Sequence, residues 1–150
     1  MIYLIEDSEL KIARILVFLK EKGIPENCIC VYKSFNSGLK QIVKSPPKLI
    51  LLDMTIPSFE KNNGGREGRM RPIGGYDLMQ SLQLKKISSK VVILTQLEFF
   101  GEGSEKISFQ EIRKRCSDNF PEIFLECIYY SPTENTWQQL LSKYISDFQC

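Results

Sequence analysis

Three carboxylates stand at the ends of two short apolar runs: Glu6 and Asp7 after Ile2-Tyr3-Leu4-Ile5, and Asp53 after Leu49-Ile50-Leu51-Leu52. Each run is continuous and apolar on both faces, as expected for a strand buried in a parallel sheet. In open α/β sheets the ligand crevice lies at the carboxyl ends of the strands, where these acids fall. Three carboxylates held about 5 Å apart repel by roughly 3 kcal/mol per pair at an effective dielectric near 20. A cation, a proton or a function must offset that repulsion. A hard divalent ion fits such a cluster, and Mg2+ in particular takes few carboxylates with carbonyls and water.

The elements that must position these acids alternate along the chain. Ser8 is suited to cap a helix that carries Ile12, Ile15, Leu16 and Leu19 on one face and ends near Gly23 and Pro25, with Lys11 rather than Glu at the capping-box position. Residues 28–32 read as a second strand and 34–44 as a helix with Leu39, Ile42 and Val43 inward, broken by Pro46-Pro47. A third strand runs to Asp53. Residues 57–74 form a long polar, glycine-rich and basic loop, a length that is functional or disordered in most proteins. Then follow a helix over 76–85, a strand over 90–95, a loop over 96–104, a helix over 105–119, a strand over 123–130 and a last helix from Pro132 to about Phe148 with Trp137, Leu140, Leu141, Tyr144 and Ile145 inward. Five β–α units predict an α/β fold: one doubly wound, five-stranded parallel sheet of order 2-1-3-4-5, within a single domain over 1–150. Its switch point lies between the first and third strands, which carry the acids.

Composition narrows the classes. The chain has 150 residues, 43% hydrophobic and 25% charged, with a net charge of +2. That charge is too weak to argue for nucleic acid. The basic loop offers Phe59 but no interleaved aromatic platform, so nucleic acid is not expected. No run reaches the roughly 18 apolar residues of a membrane helix, and the first apolar run lacks a basic leader, so a cytoplasmic location is expected and no membrane partner. The five cysteines, Cys28, Cys30, Cys116, Cys127 and Cys150, show no disulfide framework and read as reduced, mostly buried thiols. With no histidine, neither zinc nor histidine-based acid–base chemistry is expected.

At this point the chain resembles the receiver domain of bacterial two-component response regulators, a CheY-like fold. The resemblance spans the chain and rests on Glu6-Asp7, on Asp53 in Leu51-Leu52-Asp53-Met54-Thr55-Ile56-Pro57, on Gly75, on Thr95 ending Val91-Val92-Ile93-Leu94-Thr95, and on Pro132. It implies that Asp53 is a nucleophile accepting a phosphoryl group, and that Glu6, Asp7, Asp53 and the backbone carbonyl of Thr55 hold Mg2+. Thr95 would be the switch hydroxyl. The implied role is a phospho-accepting signalling domain rather than an enzyme. Its partners would be a sensor histidine kinase or a phosphotransfer protein, and a downstream effector protein bound at the fourth-helix, fifth-strand, fifth-helix face.

The resemblance breaks in three places. The family places a lysine before the proline that follows strand five; here Ser131 holds that position. Gln96 follows Thr95, where the family has a small residue, and Ile128 stands at the position of a switching aromatic. Two accounts follow. Either Asp53 is still phosphorylated and Arg66, Arg69 or Arg71 supplies the missing cation by forking onto phosphate, or the chain is a phosphorylation-incompetent pseudo-receiver that acts as a docking module. A haloacid-dehalogenase-type phosphatase is set aside, because it needs a second acid where Thr55 stands.

Overall fold

A computed structural model describes residues 1–60 and 68–150. Strands β1 (Ile2–Ile5), β2 (Ile29–Tyr32), β3 (Leu49–Leu52), β6 (Lys90–Thr95) and β9 (Phe124–Tyr129) form one parallel sheet of order β2-β1-β3-β6-β9, the expected 2-1-3-4-5. Between them lie α1 (Glu9–Glu21), α2 (Phe35–Lys44), α3 (Gly74–Leu84), α4 (Phe109–Asn119) and, last, α5 (Thr136–Ile145). Two antiparallel ribbons complete the fold: β4 (Ile56–Pro57) with β5 (Met70–Arg71), and β7 (Phe99–Phe100) with β8 (Ile107–Ser108).

The sheet separates two cores by simple alternation. Tyr3, Ile5, Ile50, Leu52, Val91 and Ile93 face α2, α3 and α4. Ile2, Leu4, Leu49, Leu51, Val92 and Leu94 face α1 and α5. Both faces of the central strands are buried, which is why these strands read as unbroken apolar runs. Among the described residues, no helix is long and apolar enough to cross a membrane.

Several boundaries depart from the sequence reading. The loops expected over 57–74 and 96–104 each close through a two-residue ribbon, because short strands flanking a polar excursion pair with one another. Helix α4 starts at Phe109, where the Ser108 hydroxyl accepts from Glu111 N, rather than near residue 105. Helix α5 starts at Thr136 rather than at Pro132. Val43 lies on the solvent side of α2, which buries Phe35, Gly38 and Ile42.

The thiol expectation is corrected at one pair. Cys28 and Cys150 form a disulfide, while Cys30, Cys116 and Cys127 are free. Their separation of 122 residues gave no spacing to read. The end of the chain returns to the amino-terminal side of the sheet, where Lys48, just before β3, donates its Nζ to the Gln149 carbonyl at 2.9 Å.

One close approach fixes the start of α3 against the end of β3. A Cβ on Gly75 would lie 2.9 Å from the Asp53 carbonyl oxygen and 3.1 Å from Met54 Cα, both backbone atoms. Gly75 N donates to the Met54 carbonyl at 2.8 Å. Glycine lets the helix lie against the segment that presents Asp53. Replacing Gly75 with Val is expected to lower stability by about 1–3 kcal/mol in urea unfolding; unchanged stability would contradict the close approach. Closing a loop of this length with a disulfide contributes about 2–5 kcal/mol. Reduction should therefore lower the urea midpoint of the wild type and leave that of Cys150→Ser in place; equal midpoints with and without reductant in the wild type would contradict the bridge.

Candidate functional site

Strand register brings the acids together. Ile5 pairs with Leu52, so the next residues, Glu6 and Asp53, emerge side by side, and Leu52 in turn pairs with Ile93. The backbone continues past the strand ends: Asp53 N donates to the Ile5 carbonyl and Glu6 N to the Tyr32 carbonyl, each at 3.0 Å. Ligand oxygens of Glu6, Asp7 and Asp53 lie within 4.8 Å of one another. Glu6 is buried, while Asp7 and Asp53 are half-buried. All three are hard oxygen donors, a set that suits Mg2+ rather than a soft metal.

The offsetting charge already belongs to the fold. Lys11 Nζ lies 2.8 Å from Glu6 Oε2 and 3.5 Å from Asp53 Oδ1, and donates to the Leu94 carbonyl at 2.6 Å. Its side chain is only 3% exposed. At an effective dielectric near 20, an ammonium at these distances attracts each carboxylate by roughly 5 kcal/mol before desolvation, more than one acid pair repels. The start of α1 holds the arrangement: Ser8 Oγ accepts from Lys11 N at 3.4 Å, and Ser8 N donates to Glu6 Oε1 at 3.0 Å. Burial pushes the Glu6 carboxyl up to about 8, with Lys11 opposing the rise and the neighbouring Asp53 charge adding to it.

In the sequence Lys11 stands only as a residue of the helix cap, and its burial against the acids is not evident from that position alone. The signal was present, since Lys11 shares the inward stripe of α1 with Ile12, Ile15, Phe18 and Leu19. A lysine among apolar positions, in a first helical turn where the macrodipole disfavours a cation, needs acids nearby.

The other expected residues are placed as follows. Thr95 ends β6 fully buried, beside Tyr129 in the register, and its Oγ1 accepts from Leu97 N at 3.4 Å. Thr55 lies two residues beyond Asp53, with its hydroxyl donating to the Pro72 carbonyl at 2.8 Å. Ser131 Oγ accepts from Thr133 N and Glu134 N, both at 3.2 Å, so it shapes the turn before α5 and brings no charge. Beside it, Arg14 Nη1 donates to the Tyr130 hydroxyl and to the Ser131 carbonyl, each at 3.1 Å.

Of the loop arginines, Arg69 and Arg71 are among the described residues. Arg66 lies outside the described residues. Arg69 is exposed, and its carbonyl accepts from Ser58 N in the ribbon. The Arg71 guanidinium stacks 3.8 Å from the Phe35 ring centroid, donates to Ser58 Oγ and pairs with Asp77 at 3.7 Å. Burial pushes the Cys116 thiol up to about 12 and raises Cys127 further, so both are packing groups rather than thiolate nucleophiles.

No family model matches the chain. Two curated proteins are similar over most of their length. The Detocs response regulatory protein DtcB of Enterobacter cloacae is 28% identical over 146 residues, spanning 96% of this chain and 97% of that protein. The uncharacterized protein y4jR of Sinorhizobium fredii is 26% identical over 136 residues, spanning 90% of this chain and 89% of that protein. Among solved structures, the phosphorylated cyanobacterial phytochrome response regulator RcpA superposes with a TM-score of 0.62 at 16% identity, covering 96% of this chain and 89% of that one. The CheY-like receiver domain from Methylobacillus flagellatus gives 0.60 at 12% identity, covering 96% of each chain. The chain has the CheY-like receiver fold of response regulators.

Proposed function

We propose that the chain is an atypical response-regulator receiver domain that accepts a phosphoryl group on Asp53 and signals through protein contacts. The observation that carries this reading is the convergence of the Glu6, Asp7 and Asp53 oxygens within 4.8 Å at the switch point of a receiver fold. The similarity to a response regulatory protein over nearly the whole chain supports it.

Mg2+ would be held by Glu6, Asp7, Asp53 and the Thr55 backbone carbonyl. When bound, it supplies positive charge to the transferring phosphoryl oxygens. One oxygen of the Asp53 carboxylate attacks phosphorus as the bond to the leaving oxygen breaks. Thr95, which closes β6 next to β9, would carry the change toward the α4–β9–α5 face. That face holds a groove of about 270 Å3 lined by Phe109, Tyr129, Leu140 and Tyr144, beside exposed Leu97 and Phe99. Partners in this reading are a sensor histidine kinase or phosphotransfer protein on the input side and an effector protein on the output side, in the cytoplasm.

A second reading is favoured by Lys11, which already pairs with two of the acids, and by Ser131, which lacks the family's charge. It makes the chain an unmodified docking module of the same fold.

Incubation with acetyl phosphate and Mg2+, followed by intact-mass spectrometry, separates the two. The first reading expects one phosphoryl group on the wild type and none on Asp53→Ala. An unmodified wild type would support the docking module instead. In thermal unfolding, Mg2+ at 100 times its dissociation constant should stabilise the wild type by about 2.7 kcal/mol. The same titration should leave Asp53→Ala nearly unmoved; no shift in the wild type would argue against the metal site.

A further inference from the structure

Lys11 is the one buried lysine among the described residues. An ammonium has three N–H donors. The acceptors around Lys11 Nζ are Glu6 Oε2 at 2.8 Å, Leu94 O at 2.6 Å and Asp53 Oδ1 at 3.5 Å. Each comes from the end of a different strand: β1, β6 and β3. The longest of the three contacts goes to Asp53. The ammonium is thus anchored on two sides and only loosely held by the proposed acceptor.

We propose that Lys11 is the phosphoryl-orienting cation of this pocket, supplied by the first helix where the turn after β9 offers only Ser131. This rests on Asp53 being the acceptor. In the step, an Asp53 carboxylate oxygen bonds to phosphorus of an acyl phosphate. The bond from phosphorus to the donor's bridging oxygen breaks, and its electron pair leaves on the released carboxylate, so no proton is required. Asp53 loses its charge on esterification while a phosphoryl dianion arrives beside it. Lys11 then transfers its weakest contact from the Asp53 oxygen to a phosphoryl oxygen, keeping Leu94 and Glu6. A charge-assisted bond of this kind orients the dianion and favours the charge that builds during transfer.

The same contact offers a route outward. Lys11 Nζ lies 5.3 Å from the Tyr130 ring centroid, and that ring packs 5.1 Å from Trp137, the sole tryptophan. Leu94, whose carbonyl anchors the ammonium, precedes Thr95. Movement of Lys11 is therefore felt at β6 and at the aromatic pair leading to α5.

The test measures the rate of acetyl-phosphate modification by intact mass at saturating Mg2+, with folding checked by circular dichroism. Lys11→Gln should be modified about 100-fold more slowly than wild type. Adding Ser131→Lys to that variant should recover at least about tenfold of the loss, because a cation returns from a different element; a merely structural lysine would not be replaced that way. Equal rates in wild type and folded Lys11→Gln overturn the inference while leaving Asp53 as acceptor, and so does a folded double variant with no recovery. A wild type that takes no phosphoryl group overturns the acceptor reading itself, and this one with it. Should Lys11→Gln fail to fold, wild-type protein decides: the buried Lys11 15Nζ resonance and Trp137 fluorescence should both move on adding beryllofluoride with Mg2+, and signals that stay in place overturn the inference.

Discussion

A buried ammonium among carboxylates organises the carboxyl edge of the sheet. The strand register forces Glu6 and Asp53 together, and like charges in so confined a space would press the strand ends apart. Lys11 answers that repulsion from α1, with its ammonium also donating to the Leu94 carbonyl. Burying an ion pair is seldom a source of net stability, because desolvation offsets much of the attraction. In the proposed reading, its persistence is explained by the phosphoryl chemistry it would set up. The resident cation would leave the acid cluster with fewer unbalanced charges and suit it to a phosphoryl dianion.

The arrangement depends on ordinary fold physics. Alternating side chains on β1 and β3 bury two cores and leave no freedom of register, since a one-residue slip would turn every apolar side chain to the wrong face. The Ser8 cap fixes where α1 begins and therefore where Lys11 points. Gly75 lets α3 rest on the backbone that presents Asp53. The pocket is thus set by three element ends rather than by a loop, so its side chains are held on rigid elements.

Much of this was legible in the sequence, for identifiable reasons. Unbroken runs such as Leu49-Ile50-Leu51-Leu52 announce strands buried on both faces, and the acids that follow them mark the crevice. The ribbons Ile56–Pro57 with Met70–Arg71 and Phe99–Phe100 with Ile107–Ser108 were not legible, because a two-residue strand has no period to detect. Val43 illustrates the limit of helical periodicity at a helix end, where a single position decides between core and solvent. The Cys28–Cys150 bridge depends on where the chain's end returns, which no local pattern encodes. Lys11 was hidden for another reason: a lysine at a helix start reads as solvated until its inward register is weighed against the nearby acids. Arg71, the more obvious cation in sequence, is engaged with Phe35, Ser58 and Asp77.

Glu6, Asp7 and Lys11 from the start of the chain share a single pocket with the distant Asp53. A crystal structure of the protein soaked in Mn2+, with anomalous scattering used to locate the ion, tests this most directly. The account predicts an anomalous peak coordinated by Glu6, Asp7 and Asp53, with Lys11 Nζ within hydrogen-bonding distance of the Leu94 carbonyl. Carboxylates turned away from one another, or Lys11 extended into solvent, would contradict it.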